Sequence, residues 1–196
     1  MVAIGFPHAA AIDKVARAYP KTQFAIVDAV VDLPNVQSFV YREHEGSFLA
    51  GMAAAMASRS GKVGMVGGMD IPLVRKFACG YEQGAKHADP KVEVKLNMIG
   101  STPSAWTDPA RGAELTKAQV AQGVDVVFSG HEHVYQRSAP QKGITYFIEG
   151  SSGQLRKGDM EPSPETAAWF DQDQTFMLVE IAGGDLVFQT ISRAGR

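Results

Sequence analysis

Gly61-Lys62-Val63-Gly64-Met65-Val66-Gly67-Gly68-Met69-Asp70-Ile71-Pro72 is the stretch on which the fold turns. It begins as a strand, with β-branched residues at Val63 and Val66, runs into a double-glycine turn, and is followed over residues 71–86 by apolar positions at helical spacing. A strand that enters a glycine turn and leaves as a helix is half of a parallel βαβ unit. The same grammar recurs on both sides. Residues 2–6, 24–27, 36–41, 92–99 and 124–128 read as strands, and residues 9–18, 46–57 and 110–122 as helices. Pro20 stops the first helix and Ser60-Gly61 closes the second. The pattern predicts an α/β body with a parallel sheet over residues 1–128.

After Phe128 the pattern changes. Residues 144–149, 175–181 and 186–191 are strand-like, and Gly183-Gly184-Asp185 between the last two is a hairpin signal. A mainly antiparallel β tail is therefore expected over residues 129–196. Within it, residues 151–170 are rich in Ser, Pro, Gly and charge, the composition of a surface loop.

Composition narrows the function classes. Nineteen basic against 21 acidic residues leave a net charge of −2 in a 196-residue chain, which provides no basic field for nucleic acid. Cys79 is the only cysteine, so an internal disulfide and a cysteine zinc site are both excluded. No run approaches the roughly 20 apolar residues of a membrane span. Residues 48–57, flanked by Glu45 and Arg59, read as a buried helix. Residues 1–6 lead straight into strand-like sequence without the charged and apolar regions of a secretory signal, so the chain as written reads as cytoplasmic.

Asp70 has two readings. As a carboxylate at a helix start it can accept a backbone N–H and cap the helix. As a carboxylate at the carboxyl end of a parallel strand it stands where open α/β sheets bind ligands, and it can accept both hydrogen bonds of a ribose diol.

Three stretches together extend the evidence: Ile26-Val27-Asp28 through Val30-Val31-Asp32-Leu33-Pro34-Asn35-Val36, Glu43-His44-Glu45-Gly46-Ser47-Phe48-Leu49-Ala50-Gly51, and the opening stretch itself. They closely resemble the basic membrane protein family, substrate-binding lipoproteins of ABC transporters, many of which bind purine nucleosides. The resemblance covers residues 1 to about 128. It implies a two-lobed periplasmic-binding-protein fold with an interlobe crossing near residues 46–62, a purine nucleoside or similar small molecule as ligand, an ABC transporter permease as partner, and no required cofactor. Carried over by match, Phe6, Glu45 and Asp70 are the ligand-binding positions. Phe6 reads equally as a core aromatic, and Glu45 as a helix-start carboxylate facing the dipole. The resemblance also implies a periplasmic or membrane-anchored lipoprotein; a lipobox cysteine and the Asp-x-Ser-Phe-Asn stretch of the family are not in this sequence.

The tail points elsewhere. Val124-Asp125-Val126-Val127-Phe128-Ser129-Gly130-His131-Glu132-His133 delivers two imidazoles at i and i+2 from a buried strand, an arrangement suited to metal. It is similar to the last motif of the calcineurin-like metallophosphoesterases near the purple acid phosphatases, and Tyr146-Phe147-Ile148-Glu149-Gly150-Ser151-Ser152-Gly153 matches the strand that succeeds this motif in those enzymes. That resemblance implies His131 and His133 as ligands of a divalent ion (zinc, iron or manganese); Glu132, Glu149 and Asp159 are nearby acidic residues able to complete a single zinc site, although nothing in their spacing demands it. The upstream ligand motifs of a two-metal centre are missing, so no catalytic residue is assigned. The expectation is a solute-binding module over 1–128 joined to a phosphoesterase-like segment over 129–196. A metal-dependent phosphoesterase and a chimera with neither activity are the alternatives.

Overall fold

Three short parallel strands, β1 (Val2–Ile4), β2 (Phe24–Val27) and β3 (Val36–Phe39), form the first sheet in the order β1-β2-β3. The computed structural model describes residues 1–129, 134–140, 147–149, 155, 157–158, 160–182 and 185–195. They divide into two units, Met1–Glu45 and Gly46–Arg196.

In the first unit a 3-10 turn at Phe6–His8 leads from β1 into helix α1 (Ala9–Ala18). Alternation along β2 decides the packing: Phe24 and Ile26 are buried together with Ile12 and Ala16 of α1 and with Val31. The end of α1 is tied down by buried Asn35. Its Nδ2 lies 3.0, 3.3 and 3.1 Å from the carbonyl oxygens of Ala16, Tyr19 and Thr22, acceptors that a helix end leaves without partners.

Helix α2 (Glu43–Ala57) starts at the last residues of this unit and continues in the second. Next come β4 (Lys62–Met69), α3 (Pro72–Ala88), β5 (Glu93–Gly100), a 3-10 turn at Pro103–Thr107, α4 (Pro109–Ala121) and β6 (Val126–Ser129). The chain then forms β7 (Tyr135–Ser138), β8 (Phe147–Glu149), β9 (Thr166–Phe170) and the hairpin β10 (Thr175–Ala182) with β11 (Asp185–Ser192). Six of these strands form one sheet in the order β5-β4-β6-β8-β7-β9. β4 pairs in parallel with both β5 (Lys62 opposite Glu93) and β6 (Val63 opposite Val126). Its core is Ala54, Ala55, Val63, Tyr81, Ala85 and Val92. Helices α2 and α3 touch backbone to backbone: a Cβ on Gly84 would lie 1.9 Å from the Phe48 carbonyl oxygen, and one on Gly51 would lie 2.0 Å from that of Tyr81.

The α/β class with parallel strands first and antiparallel strands last is the architecture found. Three details differ from the sequence expectations. The 151–170 segment is not all loop, because Thr166–Phe170 pairs antiparallel with β7, a strand too polar at Gln136 and Arg137 to read as one. The tail also holds one parallel pairing, β8 against β6. Third, α2 is buried on one face only. Small residues Gly51, Ala54 and Ala55 lie inside, while Leu49 and Met56 are 67% and 56% exposed. The pairing of Ala182 with Asp185 leaves only Gly183 and Gly184 between the ends of β10 and β11, as the hairpin signal requires; those two glycines lie outside the described residues. No helix among the described residues is long and apolar enough to cross a membrane.

Candidate functional site

The carboxyl end of β4 is the candidate site. Asp70 is the first residue beyond the strand, and its amide donates to the Gly100 carbonyl at 2.7 Å, so its main chain is pinned to the end of β5. The helix after it takes Ile71 as its extended N-cap without a side-chain cap bond, and opens on Pro72. Asp70 therefore does not cap α3. Its carboxylate is instead gripped by Arg75, with Nε donating to Oδ1 at 2.5 Å and Nη2 to Oδ2 at 2.9 Å. These hydrogen bonds from the Arg75 guanidinium hold the Asp70 carboxyl below its ordinary range, so it is ionised at neutral pH.

The glycines before Asp70 make room for neighbours. A Cβ on Gly68 would lie 2.3 Å from the Trp106 ring, so the indole from the 3-10 turn after β5 lies directly against the strand two residues from the carboxylate. Gly67 is crowded in the same way by Met98 Sδ, at 2.5 Å from a Cβ. An aromatic surface beside a fixed anion suits a ligand with a flat apolar part and a hydroxyl donor.

The other expected positions are dispersed. Phe6 is half-buried in the turn that leaves β1, after Gly5 with its φ of 99°. Glu45 is exposed in the first turn of α2 and paired with Arg42 at 2.9 Å, the arrangement of a helix-start carboxylate. Phe6 and Glu45 belong to the first unit and Asp70 to the second. His131, His133, Glu132 and Asp159 lie outside the described residues, and of Glu149 only the place in β8 is described. Among the described residues no group of three or more His, Cys, Asp or Glu is arranged to hold a metal ion.

Three residues escaped the sequence reading. Trp106 and Arg75 are two. Asp28 is the third: it ends β2 with φ at 62°, a left-handed conformation uncommon outside glycine, while its amide donates to the Phe39 carbonyl at 2.9 Å. The signals were present in Ile26-Val27-Asp28, a strand ending in an acid, and in a lone Trp between a strand and the Asp108-Pro109 helix start. A separate surface cavity of about 360 Å³, lined by Thr116, Lys117, Gln136 and Glu165 among others, contains none of the expected site residues.

Comparison with known proteins places these features in context. The family model described as ABC transporter substrate-binding protein PnrA-like (Bmp) matches residues 1–154. The chain is 36% identical over 175 residues to the ABC transporter nucleoside-binding protein BmpA of Lactococcus lactis subsp. cremoris, a match covering 89% of this chain and 46% of that protein. It is 31% identical over 128 residues to basic membrane protein A2 of Borrelia garinii subsp. bavariensis, covering 63% of this chain and 37% of that one. Among solved structures, an ABC transporter solute-binding protein from Aeropyrum pernix K1 superposes with a TM-score of 0.53 at 29% identity, over 65% of this chain and 38% of that chain. The chain thus spans less than half the length of the relatives it matches. The family match passes the expected junction at residue 128 and runs through the Gly130-His131-Glu132-His133 stretch, and the comparisons lend no support to a calcineurin-like segment.

Proposed function

Because the chain belongs to the Bmp family of PnrA-like ABC transporter substrate-binding proteins, we propose that it binds a purine nucleoside or a closely similar small molecule for an ABC transporter permease. The observation that carries this reading is the ionised Asp70 carboxylate, pinned at the carboxyl end of β4 with the Trp106 indole against Gly68, two residues before it. The carboxylate accepts a ribose hydroxyl on a lone pair that the Arg75 fork leaves open, and an aromatic surface takes the base. The name of the Lactococcus relative, a nucleoside-binding protein, favours this ligand class. Nothing in such binding calls for a cofactor. Phe6 and Glu45 are retained as further ligand positions, Phe6 because it follows a parallel strand at its carboxyl end.

Isothermal calorimetry with inosine, guanosine and adenosine tests the reading. Millimolar to high-micromolar binding is expected, since the chain covers under half of its relatives and supplies part of the contacts. Asp70→Ala should weaken it roughly ten- to a hundredfold, by leaving a buried hydroxyl without its charged acceptor. No heat from any nucleoside at millimolar concentration would refute the reading.

A further inference from the structure

Between helix α4 and strands β7 and β8 lies a cavity of about 360 Å³, inside the roughly 300–1,000 Å³ range of small-molecule sites. Ala113, Thr116 and Lys117 reach it from one helical face, at i, i+3 and i+4. Gln136 and Ile148, directly opposite each other on β7 and β8, share its other wall, and Glu165 lines it just before β9.

The two walls differ in charge. On the helix, Glu114 stands three residues before Lys117 but is paired with Arg111 at 2.7 Å, so the Lys117 ammonium has no ion-pair partner among the described residues. On the sheet side the fixed groups are acceptors. The Glu165 main-chain carbonyl accepts from the Ala139 amide at 2.7 Å, and of its carboxylate only Oε2 is used, by Ser163 Oγ at 3.0 Å. Gln136 Nε2 donates to Thr166 Oγ1 at 2.9 Å, which leaves Oε1 as its group for a ligand. Thr116 spends its hydroxyl on the Gly112 carbonyl at 2.9 Å, so the surface it shares with Ala113 and Ile148 is apolar. A ligand of one net charge would be repelled by one of the walls. A zwitterion is drawn to both, and an apolar body covers the surface between them.

We propose that this cavity binds a free α-amino acid with an apolar side chain, its carboxylate toward Lys117 and its ammonium toward Glu165 and the Gln136 carbonyl oxygen. The test is isothermal calorimetry on the full chain and on Lys117→Gln and Glu165→Gln. The probes are L-leucine, its methyl ester, which lacks the carboxylate charge, and 4-methylpentanoate, which lacks the ammonium. Leucine should bind in the millimolar range and more tightly than either analogue. Lys117 and Glu165 are both exposed, and water screens such charges, so each variant should weaken leucine roughly threefold or more. Lys117→Gln should not weaken the ester, and Glu165→Gln should not weaken 4-methylpentanoate, because each analogue lacks the group that the altered residue meets. No heat from leucine at roughly ten millimolar, unchanged leucine affinity in either variant, or an equal loss for the matching analogue would each overturn the proposal. The nucleoside reading is tested separately, since this cavity contains neither Asp70 nor Trp106.

Discussion

Residues 46–100 and residues 134–192 join their elements in opposite ways. In the first region the contacts are between backbones: α2 and α3 meet at Gly51 and Gly84, β4 lies in parallel against β5, and the buried residues are apolar. In the second, neighbouring strands run mainly antiparallel, and the apolar side chains are widely open, with Phe176, Leu178 and Val187 each about half exposed. Even its buried positions include polar Asp171, Thr175 and Ser192. The difference shows where a ligand site can be precise. Asp70 is borne on the tightly packed region, where moving one carbonyl displaces a helix.

The largest effect expected is therefore at the helix contact. Gly84→Ala places a methyl where the Phe48 carbonyl stands and should cost about 3 kcal/mol by denaturant unfolding, at the upper end of overpacking penalties. A cost below about 1 kcal/mol would show that the helices yield, and the contrast between regions would fail.

Next is Asp125, which directly precedes β6. Its carboxylate accepts from Ser58 Oγ at 2.6 Å and from the Arg59 and Ser60 amides at 2.7 and 2.8 Å. Burial works against its charge, but these hydrogen bonds prevail and hold its carboxyl below the ordinary value of 3.8. Asp125→Ala should cost about 2 kcal/mol through the donors left without a partner. Since the folded-state value is depressed, the stabilisation is complete above the unfolded value and is lost as pH falls through the folded one. Unfolding measured between pH 2 and 7 should show a dependence below about pH 4 that Asp125→Asn removes.

Smaller still, Leu178→Ala in the open hairpin should cost under about 1 kcal/mol, as exposed apolar positions do. Gly46→Ala, on the same helix as Gly51 but with nothing within 4 Å of the added carbon, should gain up to about 1 kcal/mol from helix propensity. Gly46 and Gly84 thus give opposite signs for one chemical change.

The same contrast explains what could be read in advance. Strands β2, β4 and β5 and helices α1, α3 and α4 were legible because their apolar spacing and their glycine and proline punctuation agree. The hairpin was legible from Gly183-Gly184. Strand β7 was not, since Gln136 and Arg137 look like loop residues and gain their place only through β8 and β9. Of the site, Asp70 could be found because a carboxylate in a glycine turn is a local signal. Arg75 and Trp106 could not, because their roles depend on a helix turn and on a neighbouring strand end that bring them back to residues 68–70.

The most direct test of the central claim is calorimetric titration of guanosine into the chain and into its Asp70→Ala variant under identical conditions. Binding by the first, weakened roughly ten- to a hundredfold in the second, is the predicted result. Equal affinity in the two, or no binding by either, would contradict the claim that the Asp70 carboxylate at the end of β4 is where this protein holds its ligand.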